Sequence, residues 1–291
     1  MIRVCPICNT KESSLYMRKN ARNNRDKVEL RKCKNCGFVY SIVSRFRYEG
    51  FGNNIDVIFK TREELLEIAY NQNVNKLVSE IIKKSGLKDG SKVLDFGCGI
   101  GLISLCFQEH GFQTFGIEKS NPFLQKHKDL NIKSASKLEE FKYEKGNFDI
   151  IILKDVLEHV DFPVETLKLL VSYLKPNGYF YIRIPNVYYY PFHWSIDTEA
   201  HINHFTTKIL DKLFLENKMK KNSFINVYDI KTKVGKIYHA VFWNLRYILP
   251  MYHQISVLYK QALKMGFLWG KIGGSPDQCL MADGNGSQKI T

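Results

Sequence analysis

The chain predicts an α/β fold in which a mostly parallel sheet is covered by helices on both faces. Three observations carry that prediction. Lys92 to Phe96 is a short apolar run suited to a buried strand, and it passes through Gly97, Gly99 and Gly101 into a helix-forming stretch, Leu102 to His110. A second strand pattern, Gln113 to Ile117, ends on an acid, Glu118, about twenty residues further on. The 291 residues are 44% apolar and 13% aromatic, enough for one large domain with its own core plus appendages.

The first strand and its glycines define a ligand as well as a fold. Glycine tolerates positive φ and lets a ligand approach the backbone, while the following helix N-terminus offers unpaired N–H groups. An acid closing the second strand can take both hydroxyls of a ribose, so the pair implies a nucleoside-bearing cofactor. A dinucleotide fingerprint, G-x-G-x-x-G, requires glycine where this chain has Leu102. Instead Asp95 leads the glycines as D-x-G-x-G-x-G, a charge that suits an ammonium and a sulfonium and repels a pyrophosphate.

These residues resemble the first motif of class I S-adenosylmethionine methyltransferases. The resemblance extends through Phe148 to Leu153, Asp155 to Val160, Leu174 to Gly178 and Ile184 to Asn186, which in that family are the fourth strand, its outgoing loop, the turn before the fifth strand and that strand's end. It implies a Rossmann-like, seven-stranded, mostly parallel sheet. It also implies S-adenosylmethionine held by Asp95, Gly97, Cys98, Gly99, Gly101, Glu118, Lys119, Ser136, Lys154 and Asp155. Ser136 and Lys137 stand where the family often has an acid near the adenine, and no acid adjoins them.

In chain order, residues 1–45 read as a ribbon. Cys5, Cys8, Cys33 and Cys36 form C-x₂-C pairs with 24 residues between them, a spacing for tetrahedral Zn²⁺ in a closed structural site. So small a unit cannot bury a sufficient core, so the metal would supply its folding free energy. Cysteines in this pattern point to a reducing cytoplasm, and Met1 to Cys5 has no apolar run of a secretory leader. Residues 46–90 read as a linker, Tyr48 to Asn54, and two helices. Thr61 and Glu64 form a capping box, and Val74, Leu77, Val78, Ile81 and Ile82 repeat with helical period up to Gly86. Residues 91–230 form the cofactor-binding domain. In it a helix opens at Pro122, a third strand lies near Asn131 to Ala135, a helix spans Thr207 to Asn217, and a last strand lies near Phe224 to Tyr228.

The loop after the fourth strand carries Asp155, Glu158 and His159, and Glu199, His201 and His204 follow. Three readings are open. His159 or His204 is a general base for the acceptor. Alternatively a divalent metal sits on Asp155, Glu158, His159 and His201 or His204, as in the E-x-x-E-H arrangement of some small-RNA and ubiquinone-pathway O-methyltransferases. In the third, the loop merely caps a helix. Glu158, Tyr188, His193, Trp194 and His201 are the expected acceptor-site residues.

The net charge of +14 lies on the ends. Residues 61–230 balance 22 basic against 22 acidic side chains, residues 1–60 carry 13 against 5, and residues 231–271 carry 7 basic and no acidic. That distribution suggests an anionic partner. In the basic, aromatic segment 231–272, Ile237 to Leu258 is expected to form helices that cap the core, or the segment's aromatic and basic residues to touch an anionic membrane face; residues 273–291 are expected to be disordered. The resemblance, with its ribbon, points to bacterial enzymes that O-methylate a nucleotide- or lipid-linked sugar or a similar small acceptor. A zinc-ribbon RNA methyltransferase and a non-catalytic zinc-dependent binding module are the alternatives.

Overall fold

The computed structural model describes residues 3–20, 27–42, 55–141, 145–185, 201–224 and 264–271. The Tyr48 to Asn54 linker, Tyr188, His193, Trp194, residues 231–263 and the 273–291 tail lie outside the described residues.

The chain begins with strands β1 (Ser13–Asn20), β2 (Lys27–Cys33) and β3 (Val39–Ser41), followed by helices α1 (Arg62–Asn71) and α2 (Val74–Ser85). The alternating core then runs β4 (Lys92–Phe96), α3 (Leu102–Glu109), β5 (Gln113–Ile117), α4 (Asn121–Asp129), β6 (Lys133–Ala135), β7 (Phe148–Lys154), α5 (Pro163–Tyr173) and β8 (Leu174–Pro185). It ends with β9 (Asn203–His204), α6 (Thr207–Glu216), β10 (Met219–Phe224) and β11 (Lys264–Lys271).

The larger sheet has the order β10-β11-β8-β7-β4-β5-β6, seven strands as the sequence predicts. The five from β8 to β6 are parallel, and β11 runs antiparallel to both of its neighbours. Strand alternation divides the core. Val93, Ile150, Ile152 and Tyr181 face the helices bearing Val78, Ile81 and Phe107, while Leu94, Ile151, Leu153 and Ile182 pack with Leu170, Leu210 and Phe214 on the other face. Burial on both sides is why β7 reads as an unbroken aliphatic run. The order reverses between β4 and β7, so the carboxyl ends of these strands open a crevice there.

Local signals explain the helix ends. The Thr61 hydroxyl accepts the Glu64 N–H, and the Glu64 carboxylate accepts the Thr61 N–H in return. Gly86 closes α2 at φ 67°. The helices expected over Ile237 to Leu258 lie outside the described residues. The described part of the carboxy-terminal segment, Lys264–Lys271, is a sheet strand, because the outer edge of β8 leaves a row of backbone groups that β11 pairs.

The cysteine ribbon does not stand apart. Its sheet has the order β1-β2-β3-β9, so the outer strand comes from the far side of the chain, with Val39 opposite His204 and Tyr40 opposite Asn203. Phe38 and Phe205 meet edge to face at 5.0 Å, and Cys5, Cys33, Phe38 and Tyr40 share one apolar core with Leu157 and Ile182.

Candidate active site

The bend after β4 is held open from three sides. Gly97, Gly99 and Gly101 take φ of 75°, 56° and 95°. A Cβ on Gly97 would lie 2.5 Å from Val156, and one on Gly101 would press on Ile132, so a side chain at either position would force its neighbour to shift. Glu118 staples the bend. One carboxylate oxygen accepts the Gly99 N–H at 2.8 Å, and the other accepts those of Lys119 and Ser120 at 2.7 and 2.8 Å. The sequence assigns Glu118 to a ribose; its position beside the bend suits that role, and it also sets the bend's shape.

Asp95 lies behind the glycines, 2% exposed. Burial drives its pKa up from 3.8 to about 7; the Ser104 hydroxyl bond and the Lys154 charge pull it down, and Glu118 pushes it up. A cavity lined by Asp95, Gly97, Cys98, Ile103, Lys154 and Gln72 adjoins it. A buried carboxyl lining such a cavity is chemically suited to receive a cation. Four predicted cofactor residues therefore meet in one place: Asp95, Gly97, Cys98 and Lys154.

Others have different surroundings. Lys119 is exposed, and its backbone N–H is the group turned to Glu118. The Ser136 hydroxyl donates to Glu140, four residues on in a short 3₁₀ turn, which supplies the acid that the sequence did not show adjoining it. Asp155 is a non-glycine residue at φ 58°, and its carboxylate is ion-paired with Arg183 at 2.6 Å and Lys154 at 3.3 Å. Sequence reasoning missed His127. Its Nε2–H donates to the Gly99 carbonyl at 2.8 Å while Nδ1 is buried without a partner, and desolvation lowers its pKa, so the ring is neutral. No motif marks it; it is one histidine on α4 until the fold places it under the bend.

The loop after β7 becomes a 3₁₀ turn, Leu157–His159, with Glu158 only 1% exposed. The segment 201–206 docks on it. The Ile202 N–H donates to the Glu158 carbonyl, and the buried Asn203 amide donates to the carbonyls of Leu157 and Val160 at 3.1 and 2.6 Å. This sets His201 beside His159, rings 4.8 Å apart and edge to face. Glu158, His159 and His201 each offer one ligand atom within 4.8 Å of the others. The metal set considered from sequence is corrected in membership. Asp155 is engaged by Arg183, and His204 sits in β9 opposite Val39, so neither joins this cluster, whereas His201 does.

The four cysteine sulfurs also converge, with Cys5–Cys36 at 3.6 Å and Cys8–Cys33 at 3.5 Å. Zinc bound to four thiolates at about 2.3 Å spaces them by about 3.8 Å, so the cluster fits that ion. Burial pushes Cys5 well up and Cys36 to about 11, so a cation is needed to hold all four as thiolates.

A doubly wound sheet whose first strand opens into an acid-led glycine bend, with Glu118 ending the second, defines a class I S-adenosylmethionine-dependent methyltransferase. The chain belongs to the Methyltransf_23 family, a methyltransferase domain, whose model matches residues 67–232. Among curated proteins it is similar to the ubiquinone biosynthesis O-methyltransferase of Coxiella burnetii, 30% identical over 112 residues (36% of this chain, 48% of that protein). The protein of that name from Nitrosospira multiformis is 28% identical over 121 residues (39% and 51%). The chain thus spans about half the length of the curated relatives it matches. In fold it is similar to the PH0226 protein of Pyrococcus horikoshii (TM-score 0.51, 17% identity, 78% of this chain and 99% of that one). It is also similar to a chain from the complex of the Haloferax volcanii Trm112 methyltransferase activator with a methyltransferase (TM-score 0.55, 11% identity, 79% and 99%).

Proposed function

We propose that the protein transfers a methyl group to a hydroxyl oxygen of a small polar acceptor, a sugar on a nucleotide or lipid carrier. The observation that carries this reading is the Glu158, His159 and His201 cluster on the loop that leaves the cofactor crevice. Val156, two residues before Glu158, packs against Gly97, so the loop that carries the cluster adjoins the glycine bend. The O-methyltransferase relatives support oxygen as the methylated atom.

Bound S-adenosylmethionine supplies an electrophilic methyl on a sulfonium. The chain's part is to hold the hydroxyl in line with that methyl and to take its proton. Asp95 carries the negative charge for the ligand's cationic end, and Glu118, beside the glycine bend, is the acid for the ribose hydroxyls. His159 accepts the proton; Glu158, beside it, stabilises the imidazolium that forms. The same cluster supports a divalent cation on Glu158, His159 and His201 that would lower the hydroxyl's pKa. We infer zinc in the cysteine ribbon, a cytoplasmic location, and an anionic acceptor or membrane partner for the basic ends. The RNA reading is weaker, since Arg18 and Arg31 of the ribbon both pair with Glu29. Among the described residues no helix is long and apolar enough to cross a membrane.

The test is titration calorimetry with S-adenosylmethionine, then labelled-methyl transfer to nucleotide sugars, glycolipids and total RNA, with and without chelator. Transfer to a sugar hydroxyl that His159→Ala abolishes is expected. Transfer to RNA alone would overturn the acceptor assignment, and no binding of the cofactor would overturn the whole.

A further inference from the structure

Besides the pairing of β3 with β9, one side chain ties the cysteine ribbon to the acceptor loop. Arg3, two residues before Cys5, reaches across with its guanidinium. One nitrogen donates to the Ile202 carbonyl at 3.1 Å; the other donates to the Asp161 carbonyl at 2.7 Å and to the Asn203 side-chain oxygen at 2.9 Å. Its own backbone N–H is tied to Ile42 of the ribbon, and the Ser41 N–H donates to Ile202 from the other side. Asn203 then passes the restraint on. With its oxygen taken by Arg3, its amide nitrogen holds both ends of the turn that carries Glu158 and His159.

We propose that Arg3 and Asn203 are positioning residues for the acceptor side of the site, so that the cysteine knot is a structural part of that site and not a separate binding module. The proposal rests on the functional reading above only in taking Glu158, His159 and His201 as the acceptor cluster. The physical reason lies in the chain's economy of restraint. The 157–160 turn is short, and two of its four carbonyls bond to one asparagine. An asparagine amide makes such bonds only if its rotamer is fixed, and the Arg3 fork fixes it. Arg3 in turn is held because the metal-binding hairpin starts at Cys5, and β3 follows Cys36 by three residues. The cofactor bend depends on none of these bonds, since Glu118 and His127 brace it from the opposite side of β4.

That separation makes the inference testable in the full-length, zinc-loaded protein without knowing the acceptor. Arg3→Ala and Asn203→Ala are compared with the parent by amide hydrogen exchange, by the ring NMR signals of His159 and His201, by S-adenosylmethionine titration and by zinc content. Expected are at least tenfold faster exchange confined to 156–161 and 201–206, displaced His159 and His201 signals, cofactor affinity within about twofold of the parent and one full equivalent of zinc. Arg3→Lys, which keeps the charge but not the fork, is expected to fall between. Unmoved histidine signals and exchange in both alanine variants would overturn the proposal. So would a loss of cofactor affinity of the same size, which would make Arg3 a general structural strut. If either alanine variant fails to fold, Arg3→Lys is read by the same criteria. A parent protein that binds no S-adenosylmethionine would refute the methyltransferase reading and leave this one to be decided by exchange and NMR.

Discussion

Asp95 ties stability to function in a way that pH can expose. Its carboxyl is 2% exposed and titrates near 7 in the folded chain, against 3.8 in the unfolded one. Between those values the folded state holds a proton that the unfolded state has released, so folding stability falls as pH rises. The contribution of the protonated carboxyl is fully present below pH 3.8 and is lost as pH passes through about 7. Three pK units correspond to about 4 kcal/mol, an upper figure for a group beside an open crevice. Asp95→Asn keeps the shape and can still accept the Ser104 hydroxyl bond, but it carries no charge to desolvate. The variant is therefore expected to match the parent near pH 4 and to exceed it above pH 7 by about 2–4 kcal/mol, several degrees in Tm, when no cofactor is present. The assay is denaturant unfolding of both proteins from pH 4 to 8.5. Cofactor titration should give the opposite ranking, with the parent's affinity rising up to about pH 7 and the variant's lost at every pH. A stability difference that does not change with pH, or a variant weaker than the parent above pH 7, would refute the reasoning.

Four further outcomes are expected. Glu118→Ala removes the acceptor for three backbone N–H groups and should cost about 3 kcal/mol in unfolding free energy, with cofactor binding lost in calorimetry. Gly97→Ala forces a side chain onto Val156 at φ 75° and should cost about 1–3 kcal/mol, with part of the loss returned by Val156→Ala in a double-mutant cycle. Nδ1 of His127 is buried with no partner and desolvation lowers the ring's pKa, so the unfolded chain takes up a proton first and the fold loses stability as pH falls below 6.5, until the folded ring is protonated too. His127→Phe should remove that acid sensitivity while weakening cofactor binding, as read by Tm and calorimetry between pH 4.5 and 7. Cys33→Ser should lower the bound zinc measured by atomic absorption and, because β3 pairs with β9, raise hydrogen exchange in 201–206.

Much of the fold was legible because its signals are local. The capping box at Thr61, Gly86 closing α2, the unbroken β7 run and the alternate glycines each express a backbone or burial requirement within a few residues. The C-x₂-C pairs were legible for the same reason, since two thiolates three apart on a tight turn leave little else to do. The carboxy-terminal segment was not, because Lys264–Lys271 becomes a strand only where β8 offers an unpaired edge eighty residues away in sequence.

By itself, then, the sequence determined the alternating sheet, the acid-led bend, the class of cofactor and the metal-like knot, all written in short-range spacing. Only the tertiary structure decided which of the later histidines belongs with Glu158, that His127 lies beneath Gly99, and that Arg3 clasps Asn203 across 200 residues. Those partnerships depend on how layers pack and how edges pair, and packing between distant segments leaves no periodicity in the chain to read.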